Sequence, residues 1–172
     1  MQFMKSFKRH PHVFKLKELA NFAGGTLATL DIGPLQALWY GLLRGCEKAV
    51  DSFQKKNIGK EFERPASGPV SRAKGPEPHL DFFGVDVRAN EILSLARQMK
   101  ILDEKVLSKL QEEGLGKEAR MTAIFKLDAN EAPPITAWMR GSGWTIEDDS
   151  NLLIGAYRYG IGDWERIYNE NS

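Results

Sequence analysis

The chain has 172 residues, 42% of them hydrophobic, which is enough for one larger domain or two small ones with their own cores. Its net charge is +1, but residues 1–60 carry ten lysines and arginines against four acidic residues, while the rest carries 14 against 19. A single cysteine excludes an intramolecular disulfide, and without a signal-peptide pattern or an apolar run near ~20 residues we expect a soluble intracellular protein.

Residues 1–56 are predicted to form a small helical module. Apolar residues at three- or four-residue spacing indicate an amphipathic first helix that ends before Pro11 and a short second helix that ends at Gly24. A longer third helix is predicted to begin near Pro34, because proline suits the first helical turn, and its apolar stripe continues to Phe53. Three helices of this size can enclose one core.

Three further regions connect this module to the end of the chain. Residues 57–80 are rich in proline and glycine, so they are predicted to form a flexible linker. Residues 81–113 combine a short β-prone segment that docks on a core with the longest helix, from Ala89 to about Glu113. Residues 114–143 are predicted to form an irregular connection.

Residues 144–172 are predicted to form a second helical module. Thr145 offers an N-cap, and Asp148 three residues later is typical of a capping box in which an acid takes the third position. Gly160 suits the end of this helix, since a left-handed residue often ends helices, and a further helix is predicted to start at Trp164.

Tryptophans account for much of the predicted packing. Trp39, Trp144 and Trp164 lie on apolar faces, so they are predicted to be core residues rather than platforms for base stacking. Trp138 lies in the irregular connection and is predicted to hold that segment on the C-terminal module. Cys46 has apolar neighbours and is predicted to be a small buried residue rather than a reactive thiol.

No catalytic or metal-binding pattern in the sequence is complete. The segment 114–117 ends in Gly-Lys, but it lacks the glycine and the hydroxyl residue that a phosphate loop requires on either side. The histidines His10, His12 and His79 do not have the spacing of zinc ligands. The sequence therefore predicts no catalysis, no cofactor and no bound metal.

Three segments resemble one family. Within Trp144–Trp164, the strings W-T-I-E-D-D, L-L-I-G and Y-G-I-G-D-W resemble the W-x-x-E-x-D, L-L-x-G and Y-G-x-G-x-W patterns of the SANT-SLIDE DNA-binding region of CHD-type (chromodomain-helicase-DNA-binding) chromatin remodellers. Phe83-Gly-Val, followed by a helix with Glu91-Ile-Leu, resembles the family's segment between SANT and SLIDE. Phe3-Met-Lys-Ser-Phe-Lys is similar to the end of the first SANT helix. The three segments follow the family's order and cover nearly the whole chain.

The resemblance implies an all-α fold, in which a SANT/Myb-like three-helix module is joined by a long spacer helix to a partial SLIDE module, truncated within residues 144–172. It implies a non-catalytic region that binds double-stranded DNA, as linker or nucleosomal DNA, with little sequence preference. The parent protein is then an ATP-dependent chromatin remodeller of the nucleus whose ATPase motor acts in cis. We expect the chain to be a monomer that contacts the nucleosome and no membrane.

Lysine and arginine contacts to phosphates give such binding its strength and its salt dependence. The resemblance implies that Lys5 occupies the exposed basic position of the first SANT helix that faces DNA. Basic neighbours of Lys5 and two arginines on the SLIDE side complete the predicted set, and for each single residue an ordinary surface charge is the alternative. The predicted DNA-binding residues are Lys5, Lys8, Arg9, Lys15, Lys17, Arg158 and Arg166.

Two other functions are open alternatives. SANT domains elsewhere bind histone tails, whose basic charge requires an acidic surface, and the SLIDE side offers such a surface in Glu147, Asp148, Asp149, Asp163 and Glu165. The chain is alternatively a structural spacer whose long helix sets the distance between motor and DNA. A basic surface on the first helices favours DNA, whereas an acidic surface over SLIDE favours histone tails.

Overall fold

The computed structural model describes residues 2–9, 11, 15–58, 76–117, 119, 124 and 126–170. These residues form α1 (Gln2–Arg9), α2 (Leu16–Ala23), α3 (Thr26–Thr29), α4 (Ile32–Asn57), β1 (His79–Phe82), β2 (Val85–Arg88), α5 (Ala89–Glu112), α6 (Ala137–Ser142), α7 (Ile146–Tyr159) and α8 (Trp164–Glu170). The predicted all-α class is confirmed, because β1 and β2 form only a two-stranded antiparallel hairpin.

A first core joins α1, α2, α4, the hairpin and the start of α5. Phe7 of α1 is fully buried and its ring centroid lies 4.4 Å from that of Trp39, so Trp39 is the core residue that its spacing predicted. Cys46 is also buried in this core, and burial raises the pKa of its thiol to about 11. Gly45 lets the hairpin approach α4 closely, since a Cβ there would lie 2.8 Å from Leu80.

The hairpin turn contains an unusual residue. Phe82 pairs with Val85, so Phe83 and Gly84 form a two-residue loop, and both have positive φ (53° and 76°). Such a turn favours Asn-Gly, because a bulky residue is strained in the left-handed region. The Phe83 ring is nevertheless 82% exposed and contacts the Phe82 ring edge-on.

Phe83→Asn should therefore raise the free energy of unfolding, by about 0.5 kcal/mol, because relief of about 1 kcal/mol of left-handed strain exceeds the stabilisation that the two rings provide. Gly84→Ala should lower it by about 1 kcal/mol, since alanine adds that strain instead. Urea unfolding of both variants measures these changes. Equal signs for the two changes would contradict the strain assigned to this turn.

A second core lies between the C-terminal half of α5 and α7. Met99, Leu102, Val106 and Leu110 are buried on α5, whereas the start of the same helix belongs to the first core. Tyr157 of α7 is fully buried and its hydroxyl donates to Asp103 Oδ1 at 2.6 Å. The two ends of α5 thus pack into different cores.

The C-terminal helices differ in part from the prediction. Thr145 begins α7 with the predicted capping box, and α8 begins at Trp164. Trp144 is only partly buried and donates from Nε1 to Asp149, whereas Trp164 is 57% exposed, so its assignment to the core is wrong. Ile167 packs against α7 instead, because Gly155 leaves no side chain in its way.

The predicted irregular connection at 114–143 contains a short helix. This helix is α6, whose Trp138 ring lies 5.6 Å from that of Trp144, in agreement with the predicted role of Trp138. Within the predicted linker, residues 59–75 lie outside the described residues, as do His10 and His12. Across the described helices, none is both long and apolar enough to span a membrane.

Candidate nucleic-acid interface

Two of the predicted DNA-binding residues lie on the solvent side of α1. Met4 and Phe7 turn the other side of this short helix into the first core. Lys5 is exposed, and Lys8 is half-exposed with its ammonium 2.8 Å from Glu91 Oε1 on α5. An exposed pair of this kind contributes only about 0.2–1 kcal/mol, so a phosphate can displace Glu91 at little cost.

Arg9 ends α1 and attaches it to the α7–α8 turn. Its guanidinium forms an ion pair with the Asp163 carboxylate and lies 4.6 Å from the centroid of the Phe22 ring. Its backbone carbonyl accepts a hydrogen bond from Ile161 N at 2.8 Å. Both charged side chains of the pair are mostly buried, so Arg9 has a structural role as well as a charge near the surface.

Lys15 has a different environment from the one predicted. Its side chain is 1% exposed, and its ammonium donates to the Arg158 carbonyl at the end of α7, with Glu18 at 3.5 Å. Burial of the ammonium lowers the pKa of Lys15, against a smaller raising effect of Glu18. Because this ammonium does not reach solvent, we correct the sequence-based assignment and remove Lys15 from the DNA-contacting residues.

Lys17 is exposed on α2. Its ammonium donates to the carbonyls of Leu30 at 3.0 Å and Ala28 at 3.3 Å, and therefore closes the end of α3. A lysine has three donor hydrogens, so this capping role leaves Lys17 able to meet a phosphate as well.

The two C-terminal arginines are placed differently. Arg158 is partly buried, and its backbone carbonyl accepts the Lys15 hydrogen bond. Arg166 is exposed, lies 4.9 Å from the centroid of the Tyr159 ring, and has Nη1 3.9 Å from Asp163 Oδ2. Asp163 therefore lies between Arg9 and Arg166. We call the exposed cations Lys5, Lys8 and Arg166, together with Arg9, the basic face.

The sequence reasoning missed the role of Asp163. The sequence indicated that Asp163 belongs to an acidic surface, and its arginine partner is 154 residues away in sequence. Asp148 and Asp149 are also engaged within the chain. The Asp148 carboxylate accepts two hydrogen bonds from Thr145, and these lower the pKa of Asp148. The Asp149 carboxylate accepts a hydrogen bond from the indole N–H of Trp144.

Asp163→Asn should lower the free energy of unfolding by about 1–2 kcal/mol, because it leaves the mostly buried Arg9 guanidinium without its counter-charge. Glu112→Gln is the matched control, since it breaks the exposed 3.1 Å pair with Lys109 and should change the free energy of unfolding much less. Urea unfolding at moderate salt measures both. Equal losses would show that the Arg9–Asp163 pair contributes no more than a surface pair.

The described residues contain no group of three or more His, Cys, Asp or Glu side chains that is arranged to hold a metal ion. The only described histidine, His79, instead has Nδ1 2.9 Å from the Asp86 carboxylate, across the hairpin.

Comparison with known proteins identifies the family. Residues 123–172 match the family model of the ATP-dependent helicase CHD1-2/hrp3 HTH domain. Over 156 residues, which is 90% of this chain, it is 28% identical to Protein CHROMATIN REMODELING 5 of Arabidopsis thaliana. Over 123 residues, 72% of the chain, it is 31% identical to Chromodomain-helicase-DNA-binding protein 1 of Gallus gallus and to that of Homo sapiens.

The matched part is a small share of these relatives, 7% of the Arabidopsis protein and 6% of each vertebrate protein. The matches include the C-terminal helices and extend over most of the chain, in agreement with the resemblance found in the sequence. The chain thus belongs to the family of CHD-type chromatin remodellers, and it corresponds to part of their DNA-binding region.

Proposed function

We propose that this region binds double-stranded DNA through its phosphates, with little sequence preference, and that its natural target is linker or nucleosomal DNA in the nucleus. The observation that carries the proposal is the basic face. Lys5 and Lys8 lie on one exposed side of α1, and Arg9 at the end of that helix shares the Asp163 carboxylate with Arg166 of α8. Arg9 and Arg166, which are far apart in the sequence, therefore lie beside the same carboxylate.

The chemistry of these residues favours phosphate contacts over base readout. Lysine ammonium groups and guanidinium groups bind phosphate oxygens of any sequence, and each contact releases condensed counterions. The described part of the basic face belongs to α1 and the seven-residue α8 rather than to one long exposed helix that could enter a major groove. Lys17 adds a further exposed cation, while Arg9 and Arg158 are proposed to orient this surface.

Histone-tail binding is less well supported. That function requires free carboxylates on the SLIDE side, but Asp148, Asp149 and Asp163 each have a partner within the chain. Of the five acids named for this function, Glu147 and Glu165 are in the exposed class, whereas the three aspartates are partly buried. Carboxylates that are already engaged within the chain form a weak surface for a highly basic peptide.

The test is a fluorescence-anisotropy titration with a ~25-base-pair duplex at several salt concentrations, beside a histone H3-tail peptide. We expect duplexes of unrelated sequence to bind equally, with log affinity falling linearly in log salt. Binding of the peptide but not of the duplex would replace this proposal by the interaction module. No binding of either would favour the structural spacer.

We further propose that the region acts without catalysis, as the accessory DNA-binding part of an ATP-dependent remodeller whose motor lies in cis, and that it is monomeric. The domain scheme of the proposal is a SANT-like module at 1–56, a linker at 57–80, a docking segment and spacer helix at 81–113, a connection at 114–143 and a SLIDE-like module at 144–172. Sedimentation equilibrium with and without duplex measures the stoichiometry, for which we expect one chain per site.

A further inference from the structure

A cleft of about 350 Å³ lies between α1 and the junction of β2 with α5. Three cations line it, Lys5 and Lys8 from α1 and Arg88 from the end of β2, together with the acids Asp86 and Glu91. Methionine and valine side chains of α1 and β2 form the remainder of its lining. Arg88 is not among the basic residues that the sequence pattern indicated.

Some charged side chains in this cleft have ion-pair partners within the chain, and others do not. Lys8 pairs with Glu91 at 2.8 Å, and Asp86 is engaged by His79 at 2.9 Å. Arg88 contacts Glu77 at 3.1 Å through Nε, and the two terminal nitrogens of a guanidinium can donate to a second partner with oxygen atoms. Within the described part of the chain, the Lys5 ammonium has no carboxylate within ion-pair distance.

We propose that this cleft receives a phosphate group of the DNA backbone, held by Lys5 and Arg88, and that Glu91 competes with it for Lys8. The inference rests on the proposed DNA-binding function and extends the basic face from α1 onto the β2–α5 junction. Arg88 is suited to this role because its planar guanidinium can bind two phosphate oxygens at once. Its side chain is half-exposed and the cleft is open to solvent, so a backbone phosphate can reach it.

The competing carboxylates are weak obstacles. Lys8 and Glu91 are both more than two-fifths exposed, as is Arg88 in its contact with Glu77, so these pairs contribute about 0.2–1 kcal/mol each. A phosphate contact in a polyanion gains counterion release in addition to the charge pairing. Glu91 is therefore expected to lower the affinity for DNA without preventing binding.

The experiment compares Arg88→Gln with Arg97→Gln, an exposed arginine of α5 that does not line the cleft. Arg88→Gln should lower duplex affinity roughly three- to ten-fold and reduce the salt slope by about one, whereas Arg97→Gln should leave the slope unchanged. Circular dichroism verifies that both variants are folded. Indistinguishable slopes for the two variants, with a wild-type chain that binds DNA, would overturn the assignment of Arg88 and leave the proposed function intact.

A second pair of variants tests the role of Glu91. Glu91→Gln should raise duplex affinity about two- to five-fold, and Glu112→Gln, which frees a lysine far along α5, should raise it less. Equal effects would show that only net charge matters and would overturn the proposed competition between Glu91 and phosphate.

Replacing chloride by inorganic phosphate at constant ionic strength tests whether the cleft binds free phosphate. If it does, phosphate should compete with the duplex for the wild-type chain and should not compete for Arg88→Gln. A wild-type chain that binds no duplex would overturn the proposed function, and this inference with it.

Discussion

Replacement of Lys15 by alanine is expected to lower the free energy of unfolding by about 3 kcal/mol, the largest effect among the basic residues. The side chain is almost fully buried, and its ammonium satisfies the Arg158 carbonyl at the end of α7. Removal leaves a cavity and an unsatisfied acceptor between α2 and the C-terminal helices. Lys17→Ala, which removes an exposed lysine two residues further along, in the first turn of α2, should cost about 1 kcal/mol or less. Urea unfolding measures both variants, and similar losses would contradict the burial of Lys15.

Lys15 should also impart a pH dependence to stability. Burial lowers its pKa from the ordinary value of 10.5, so between the lowered pKa and 10.5 the unfolded chain binds more protons than the folded one. The free energy of unfolding should therefore rise with pH through that interval. Lys15→Met keeps much of the packing but has no titrating group, so this part of the rise should be missing from its profile. If the pH profile of Lys15→Met were the same as that of the wild type, the lowered pKa of Lys15 would be contradicted.

Charge reversal of the basic face is expected to have the largest effect on DNA binding. The triple variant Lys5→Glu, Lys8→Glu, Arg166→Glu should lower duplex affinity at least roughly 100-fold at moderate salt, because three phosphate contacts become repulsions. The slope of log affinity against log salt should fall by about 0.9 for each phosphate that is no longer neutralised. All three side chains are substantially exposed, so the fold should persist. Anisotropy titrations over a series of salt concentrations provide both quantities.

The control for this variant changes net charge by the same amount elsewhere. Arg97→Glu, Lys100→Glu, Lys109→Glu reverses three exposed cations along α5 that lie outside the basic face. It should lower affinity several-fold through long-range repulsion while leaving the salt slope close to that of the wild type. Equal loss of affinity and slope in both triples would mean that binding follows net charge and that the basic face is not the contact surface.

Local patterns in the sequence were sufficient for most of the helices. The capping box of Thr145 and Asp148 and the start of α8 at Trp164 depend on residues within one turn, so their spacing identifies them. Apolar residues repeat along α5 at helical period, and most of them are buried, although Leu95 and Ala96 on the same stripe are only partly buried. The family followed from motifs of the same local kind, and its HTH model matches residues 123–172.

Burial on the last helix was harder to predict. Trp164 lies on an apolar face of α8, but whether that face is covered depends on what packs over it. In the described structure it lines an open groove with Trp144 and Leu152, while Ile167 occupies the contact that Gly155 permits. Spacing indicates which side of a helix is apolar, whereas the extent of its burial depends on the packing of distant elements.

The sequence by itself determined the helical class, the capping box that begins α7, and the family. It also identified candidate cations for DNA binding. Only the tertiary structure decided which of those cations face solvent. Arg9 and Lys15 look no different from Lys5 and Lys8 in the sequence, yet their partners, Asp163 and the Arg158 carbonyl, are 154 and 143 residues away. A lysine or arginine is stable at the surface or, when paired, in the interior, and its residue type does not distinguish the two. The packing of α1 and α2 against the α7–α8 turn determines that Arg9 is mostly buried and Lys15 is buried while Lys5 and Lys8 are exposed.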